Sequence, residues 1–489
     1  MKYICPASKK SITKSMNKKT ISIAASLAAA IPALAGGFNT NTNQTAAFLR
    51  MPAQVAVISV DGAYFNPAGV AFMKPGLYLG ANWQSAFQTR QDEVTYNPYI
   101  YNANDLNNET HLYKGRAVAP FIPSFDIAYV WDKLAVSSHF GITAGGGKLR
   151  YRDGLGSFES QFASAAAILN EMGLAGTQYS LNMNLDGSSY YFSGQINAAY
   201  KINEKLSVSL GGRVTYAYNA YDAMVSDINF TTNGQPTSAV LAGAAAQYQS
   251  VNPTVAAQYM AYSQAITAAS QNIVLDVVQT DIAFNPIIGI DFKSGKWNVA
   301  ARYEFRTVLQ LNNDTDQNTS SSLSQYNDGL KMRSDLPAFL SVGAGYEATN
   351  RFRVYAQGNM YFDKQAKQYG GREKALKGNC WEAIAGAEYD VNKWLTLSCG
   401  VQDTEFGFGK DRNYINDMSF STPSTSALAG AKFTLAENVS IDFGLMKTFY
   451  RHLDKDSNKA DIMGDKTRPY HDDFFRTNFV LGAGVKIAL

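Results

Sequence analysis

Few residues in this chain have reactive chemistry to offer, and their spacing narrows what they could do. The histidines are His111, His139, His452 and His471, and the cysteines are Cys5, Cys380 and Cys399. None falls at metal-ligand spacing or in a nucleophile–base arrangement. The run Gly145-Gly146-Gly147-Lys148 lacks the rest of a phosphate-binding loop. The sequence therefore predicts no enzyme, no cofactor and no bound metal. The arginines Arg213, Arg302, Arg306 and Arg353 are more informative. A guanidinium matches a carboxylate in bidentate geometry, so Arg302, Arg353 and Arg213 are candidates for holding a ligand carboxylate. Asp281, Glu304, Glu382, Glu388 and Asp442 share their phase along the chain, so each arginine is better suited to an internal ion pair.

The elements that must position these residues are strands. Residues 395–402 read Leu-Thr-Leu-Ser-Cys-Gly-Val-Gln, apolar at every odd position and small or polar at every even one. The same period of two recurs at 206–216, 297–305, 439–445 and 479–489. Tight polar turns lie at 131–133, 203–205, 293–296, 348–351, 392–393 and 436–438, and much longer connections alternate with them. The strands so bounded number about fourteen, which returns both ends of the sheet to the short-turn side. Trp131, Tyr200, Trp297, Tyr346, Tyr389 and Trp394 sit beside the tight turns, where an interfacial girdle of rings belongs. The fold class predicted is all-β: a transmembrane antiparallel β-barrel of about 14 strands, with an N-terminal plug in the lumen and long extracellular loops. Two of those loops, at 159–172 and 237–270, have helix-forming composition. Helices there could cap the mouth or be ordered insertions.

Composition agrees. Hydrophobic residues make up 46% of 489 positions, yet mean hydropathy is −0.20 and only one apolar run approaches the length of a membrane helix. That excludes a polytopic helical membrane protein. The run lies near the N-terminus, after six lysines with no acid, and ends in Ala33-Leu34-Ala35. This is the pattern of a cleaved export signal, residues 1–35. Met16 could equally be the start. Its removal takes 43 Lys+Arg down by six to 37, against 40 Asp+Glu, so the net charge of +3 becomes −3. No nucleic-acid partner is implied. Cys380 and Cys399 remain, and a hairpin turning at 392–393 sets Cys399 opposite about Gly386, too far along the strand from Cys380 for a disulfide.

Residues 36–75 do not alternate and end in Asn66-Pro67-Ala68, where Asn66 can cap a short helix with Pro67 at its first position. About forty such residues ahead of a wide barrel (76–489) suit a plug. The start Gly36-Gly37-Phe38-Asn39, the element Asn66-Pro67-Ala68, the strand opening Asp335-Leu336-Pro337-Ala338-Phe339 and the hairpin around Ala385–Asp390 and Trp394–Leu397 resemble the outer-membrane long-chain fatty acid and hydrocarbon transporters of the FadL/TodX type. The resemblance implies a hatch that includes Gly37, Phe38, Asn66, Pro67 and Ala68. It also implies passive passage of hydrophobic small molecules, fatty acids before hydrocarbons, with lateral release where a strand is kinked. By position that kink falls at Phe140, Gly141, Gly145 and Gly146. Implied too are a place in the outer membrane of a Gram-negative bacterium, contact with its lipids, insertion by the barrel-assembly machinery, and a monomer. The alternatives from other classes are a general porin and a surface adhesin.

Overall fold

The computed structural model describes residues 38–95, 110–410, 412–418, 420–460 and 467–489. The expected export signal and Gly37 lie outside the described residues.

Among the described residues, fourteen staves close into one antiparallel barrel. They are β1 (Gly76–Thr95), β2 (Thr110–Val130), β3 (Leu134–Tyr151), β4 (Thr177–Lys201), β5 (Leu206–Thr232), β6 (Ile273–Ser294) and β7 (Trp297–Glu304, resuming at Gln310–Asn318). Then follow β8 (Lys331–Arg333, resuming at Phe339–Glu347), β9 (Phe352–Tyr361), β10 (Cys380–Asp390), β11 (Leu395–Glu405), β12 (Ser424–Ala436), β13 (Val439–Tyr450, resuming at Leu453–Ala460) and β14 (Thr467–Ala488). Closure is made by β1 against β14, in continuous register from Tyr78↔Ala488 to Thr95↔His471. With no free edge, every wall strand can present an apolar face outward without templating aggregation.

Alternation fixes which face that is. On β1 the even positions Asn82, Gln84, Gln88 and Arg90 are buried, while Trp83 and Phe87 are exposed. Trp131, Tyr200, Trp297, Tyr389 and Trp394 are all exposed beside the tight turns, and the Trp297 and Tyr346 rings pack tilted at 36° with centroids 4.5 Å apart. A continuous exposed apolar and aromatic wall of this kind is the surface that lipid covers. Cys399 pairs with Ala387, one residue from the expected position, and both described cysteines are free.

Several staves run farther than the turn signals implied. β4 has 25 residues and β5 has 27, where about 10 suffice to cross a bilayer. Because β4 and β5 are joined by a tight turn at one end, the excess projects from the long-loop end. What reads as loop in sequence is there a strand, polar on its outer face at Asn182 and Asn184 and apolar on its inner face at Tyr179, Leu181, Met183 and Leu185.

The long-loop end is packed. Helix α4 (Gly156–Glu171, counting the three short helices described next as α1 to α3) buries Phe158, Phe162 and Ala166 against Tyr179, Tyr221, Leu275 and Tyr326. Its Glu159 accepts hydrogen bonds from Tyr113 and Tyr179. Burial pushes this carboxyl up, but the His111 imidazole and the two tyrosine hydroxyls outweigh it and hold the group below its ordinary value. The second helical stretch is a hairpin of α5 (Thr237–Tyr248) and α6 (Pro253–Ala269).

In the loop after β9, Asp363 accepts from the Cys380 backbone N–H at 2.9 Å. Burial there pushes its carboxyl up to about 7, a penalty for the charged form of at most about 4 kcal/mol. Both folded and unfolded states hold the proton at pH 3, so the penalty is absent there. It grows as pH rises through the ordinary carboxyl range and is complete above 7. Asp363→Asn should therefore raise urea resistance at pH 8 and change nothing at pH 3. Equal midpoints at pH 8 would refute this.

The segment ahead of the wall contains α1 (Ala46–Arg50), α2 (Gly62–Phe65) and α3 (Pro67–Val70), all buried. Its partners come from all round the ring. Ala46 N–H bonds Asn82 on β1, Ser124 on β2 reaches Gln44 O, and Ser207 on β5 reaches Ala68 O. Asn298 on β7 donates to Ala56 O, Gln357 on β9 accepts from Val55 N–H, and Asp442 on β13 binds Arg50. Side chains of the wall thus satisfy the irregular backbone that lipid could not. Asn66 stands at the helix start as expected, with Pro67 next, but its side chain does not cap. Its amide donates instead to Asp291 Oδ2 at 3.0 Å and to Ile290 O.

Candidate functional site

The wall is not uniform between β2 and β3. Their ladder runs from Val130↔Ala135 to Phe125↔Phe140, stops, and resumes only at Ala117↔Leu149. Residues 118–124 of one strand and 141–148 of the other are not paired together. The cause on β2 is chemical: Pro120 and Pro123 have no N–H to give to a ladder. The Pro120 carbonyl is satisfied from β1 by Trp83 Nε1 at 3.0 Å and Ser85 Oγ at 2.7 Å, at a bulge between Gln84 and Ala86. On β3 the cause is conformational. Gly145 and Gly147 have φ of 94° and 71°, in the left-handed region that glycine accepts without strain, and the β3–β4 register shifts on either side of Ala144.

The β3 backbone released here turns to the N-terminal segment. Asn41 N–H bonds Thr143 O at 2.7 Å and Gly145 N–H bonds Asn39 O at 3.1 Å. The Asn41 and Gln44 amides both donate to Ile142 O. A mainly apolar pocket opens at the gap, its lining including Val118, Ala119, Ile122, Ile142 and Gly146. At 6 to 12 residues above the turn that follows Val130, the gap lies roughly 14 to 28 Å up a tilted strand, within the apolar band. Phe140 faces outward below it. A Cβ on Gly141 would come within 2.8 Å of His139 Nε2, so that position has no room for a side chain. His139 itself is buried against Asp126, 2.8 Å away. Farther round the ring, Ala144, Tyr191, Ala217, Leu309, Leu311 and Leu336 form an apolar cluster.

The arginines are placed as follows. Arg213 grips Glu304 at 2.7 and 3.1 Å and Gln195 at 2.6 Å. Arg302 bonds the same Glu304 and the Tyr64 carbonyl. Both guanidiniums lie over the Tyr64 ring, 5.1 and 4.7 Å from its centroid. Arg353 forms a bidentate pair with Asp390 at 2.7 and 2.8 Å and reaches Glu388 at 3.2 Å. It lines a cavity of about 520 Å³ with Arg50, Asp61, Lys432 and turn residues such as Lys296. Each of the three thus already holds a carboxylate of the chain, and a ligand acid would have to displace it. Arg306 bonds Gln365 O at 2.6 Å.

Arg50 is clamped between Glu388 and Asp442. Burial works against its charge, but the two acids prevail and hold the guanidinium above its ordinary pKa. Phe38 packs among the rings of Phe406, Phe408 and Tyr414, 4.4 to 5.5 Å between centroids. Sequence reasoning overlooked Pro120 and Pro123, although two prolines inside an alternating run are the direct signal of a broken ladder.

No family model and no curated protein matches this chain. Solved structures do. A Pseudomonas aeruginosa FadL homologue aligns with TM-score 0.62 at 12% identity, over 92% of this chain and 99% of that one. The toluene transporter TodX of P. putida aligns with TM-score 0.51 at 12% identity, over 88% and 94%. A deltaS2S3 mutant of TodX, described as a monoaromatic hydrocarbon channel, gives 0.54 at 12%, over 91% and 100%. At such identities the likeness establishes architecture, and in architecture this chain is a closed fourteen-stranded barrel of the FadL/TodX type.

Proposed function

We propose that this protein is an outer-membrane channel for passive uptake of hydrophobic molecules, long-chain fatty acids foremost. Residues 36–75 act as a hatch that closes the axial path. Solute enters at the packed long-loop end, passes the Leu309/Leu311/Leu336 cluster, and leaves sideways between β2 and β3. Phe140, Gly141, Gly145 and Gly146 form one lip of that exit, and Pro120 to Pro123 the other. Residues 1–35 direct export. The observation that carries this reading is the coincidence of a broken ladder, an apolar pocket at the break, and a buried N-terminal segment bonded to the wall. An apolar solute gains by moving from pocket to lipid without crossing water.

The test is reconstitution. Proteoliposomes should take up labelled oleate, or toluene as the hydrocarbon arm, faster than empty vesicles, and planar bilayers should show only small currents. Large stepwise conductance with no oleate or toluene uptake would replace this reading with a general porin.

A further inference from the structure

The outer surface of the wall carries a concentration of positive charge away from the lumen. Arg116 on β2 stands directly opposite Arg150 on β3, and both are exposed. Like charges directly across a ladder repel. Lys114 lies two residues beyond Arg116, and Lys148 and Arg152 flank Arg150 at the same spacing; all three are exposed. The patch is bounded on both sides. The β1 partner of Arg116 is Thr89. The β4 partner of Arg150 is Asp186, which is followed across the ladder by Asp222 on β5 and Asp276 on β6. Asp186 lies 3.2 Å from Arg150 Nε and 3.4 Å from Lys148 Nζ, exposed pairs that contribute little. Glu93 on β1, opposite Leu112, and Asp153, next to Arg152, are the other neighbouring acids. Lys114, Arg116 and Arg152 have no carboxylate within ion-pair distance among the described residues.

The height of the patch matters as much as its sign. Arg116 is fourteen residues above Val130, where β2 ends at its tight turn. That is roughly 33 Å up a tilted strand, just past the top of an apolar band about 25 Å tall. The β2–β3 gap lies immediately below, with Lys148 at its upper rim. Val118, Phe121 and Phe140 are exposed beneath the cations. Cations above an apolar wall are complementary to a lipid with an anionic head. Single basic residues at an interface are ordinary. Five on two adjacent strands, bordered by acids on the next three, set up a field that favours an anion at one position round the ring.

We propose that Lys114, Arg116, Lys148, Arg150 and Arg152 form a binding site for the phosphorylated saccharide head of an outer-leaflet lipid, whose acyl chains lie down the wall across the β2–β3 gap. A guanidinium takes a phosphate in bidentate geometry. A phosphomonoester carries a charge of about −1.5 to −2 at pH 7, more than the single charge of a phosphodiester head, and so suits a cluster of cations better. The proposal rests on the outer-membrane placement and adds to it a lipid site outside the lumen.

The experiment titrates the full-length barrel, in an uncharged detergent, with fluorescently labelled diphosphoryl lipid A, using phosphatidylglycerol and inorganic phosphate as competitors. Wild type should bind lipid A at least tenfold more tightly than phosphatidylglycerol, and excess phosphate should not displace it. The variant Lys114→Gln/Arg116→Gln/Arg150→Gln should weaken lipid A at least tenfold, and Arg116→Lys/Arg150→Lys should fall between it and wild type. Lys133→Gln/Lys205→Gln/Lys293→Gln removes the same charge at the short-turn end and should stay within twofold of wild type. Arg152→Gln, beyond the end of β3, should weaken lipid A at least threefold with no change in melting temperature, so the test does not depend on the triple variant folding. Unchanged binding in Arg152→Gln and the triple variant would overturn the proposal. So would equal loss in the short-turn variant, displacement by phosphate, or phosphatidylglycerol binding as tightly as lipid A. A barrel that inserts into bilayers yet gives any of these results loses the site and keeps its membrane placement; one that does not insert loses both.

Discussion

Tryptophan at position 119 should cut uptake of an apolar solute by about five-fold to a hundredfold while the barrel still folds. Ala119 belongs to the stretch of β2 that has lost its β3 partner, and it lines the pocket there. Its Cα partner across the ladder on the other side is Ala86, so β1 anchors the strand while the gap side stays open. An indole placed in the pocket must be moved before solute can pass. Overpacking costs of about 1 to 3 kcal/mol are usual for such insertions, and each 1.4 kcal/mol on a barrier is tenfold in rate. Val136→Trp is the control, because Val136 is exposed on the outer face within the intact part of the β2–β3 ladder. Labelled oleate or toluene entering proteoliposomes reads the result. Equal rates for wild type and Ala119→Trp would mean that solute leaves by another path.

The second large effect concerns the N-terminal segment. Arg50→Met should lower stability by about 3 kcal/mol, because it strands the buried carboxylates Glu388 and Asp442 without their shared cation. Lys486 at 2.8 Å from Asp442 and Arg353 at 3.2 Å from Glu388 remain, which keeps the loss near the low end for a broken buried pair. A variant that adds Glu388→Gln and Asp442→Asn should recover much of the loss, since no unpaired charge is then left buried. Urea midpoints measure the first expectation. Bilayer recording measures the consequence expected if residues 36–75 act as the proposed hatch, brief open events appearing in Arg50→Met. A midpoint within 0.5 kcal/mol of wild type would show that Arg50 does not anchor the segment.

How much of this was legible beforehand depended on the range of the interaction. The barrel was legible because period-two alternation, tight turns and interfacial rings are written in contiguous residues. Leu395 to Gln402 shows the alternation in eight positions, and six short turns set the strand parity. The N-terminal segment was legible as a separate unit from its lack of alternation, but the role of Asn66 was not. Its position before Pro67 predicts a cap, whereas the amide reaches Asp291 on a wall strand 225 residues away. Strand length was misread for a related reason. The polar residues there mark only the outward face, while Leu181, Met183, Val225 and Phe230 join the apolar cluster of the long-loop end and both outer halves stay in ladder.

Charge pairing divides along the same line. Alternation places Arg213, Arg302 and Glu304 on one face from sequence alone, because side-chain direction is a local property of a pleated chain. It cannot say that the two arginines meet at that glutamate beneath Tyr64, or that Arg90 stands across the ladder from Arg476. Those distances are set by closure, stagger and the packed N-terminal segment. The sequence by itself determined that there would be a barrel, which way its residues face, and that glycines would gather on β3. The tertiary structure alone decided where the β2–β3 ladder is interrupted and which charges meet. A ladder gap and an ion pair are both relations between strands, and no single strand carries that information.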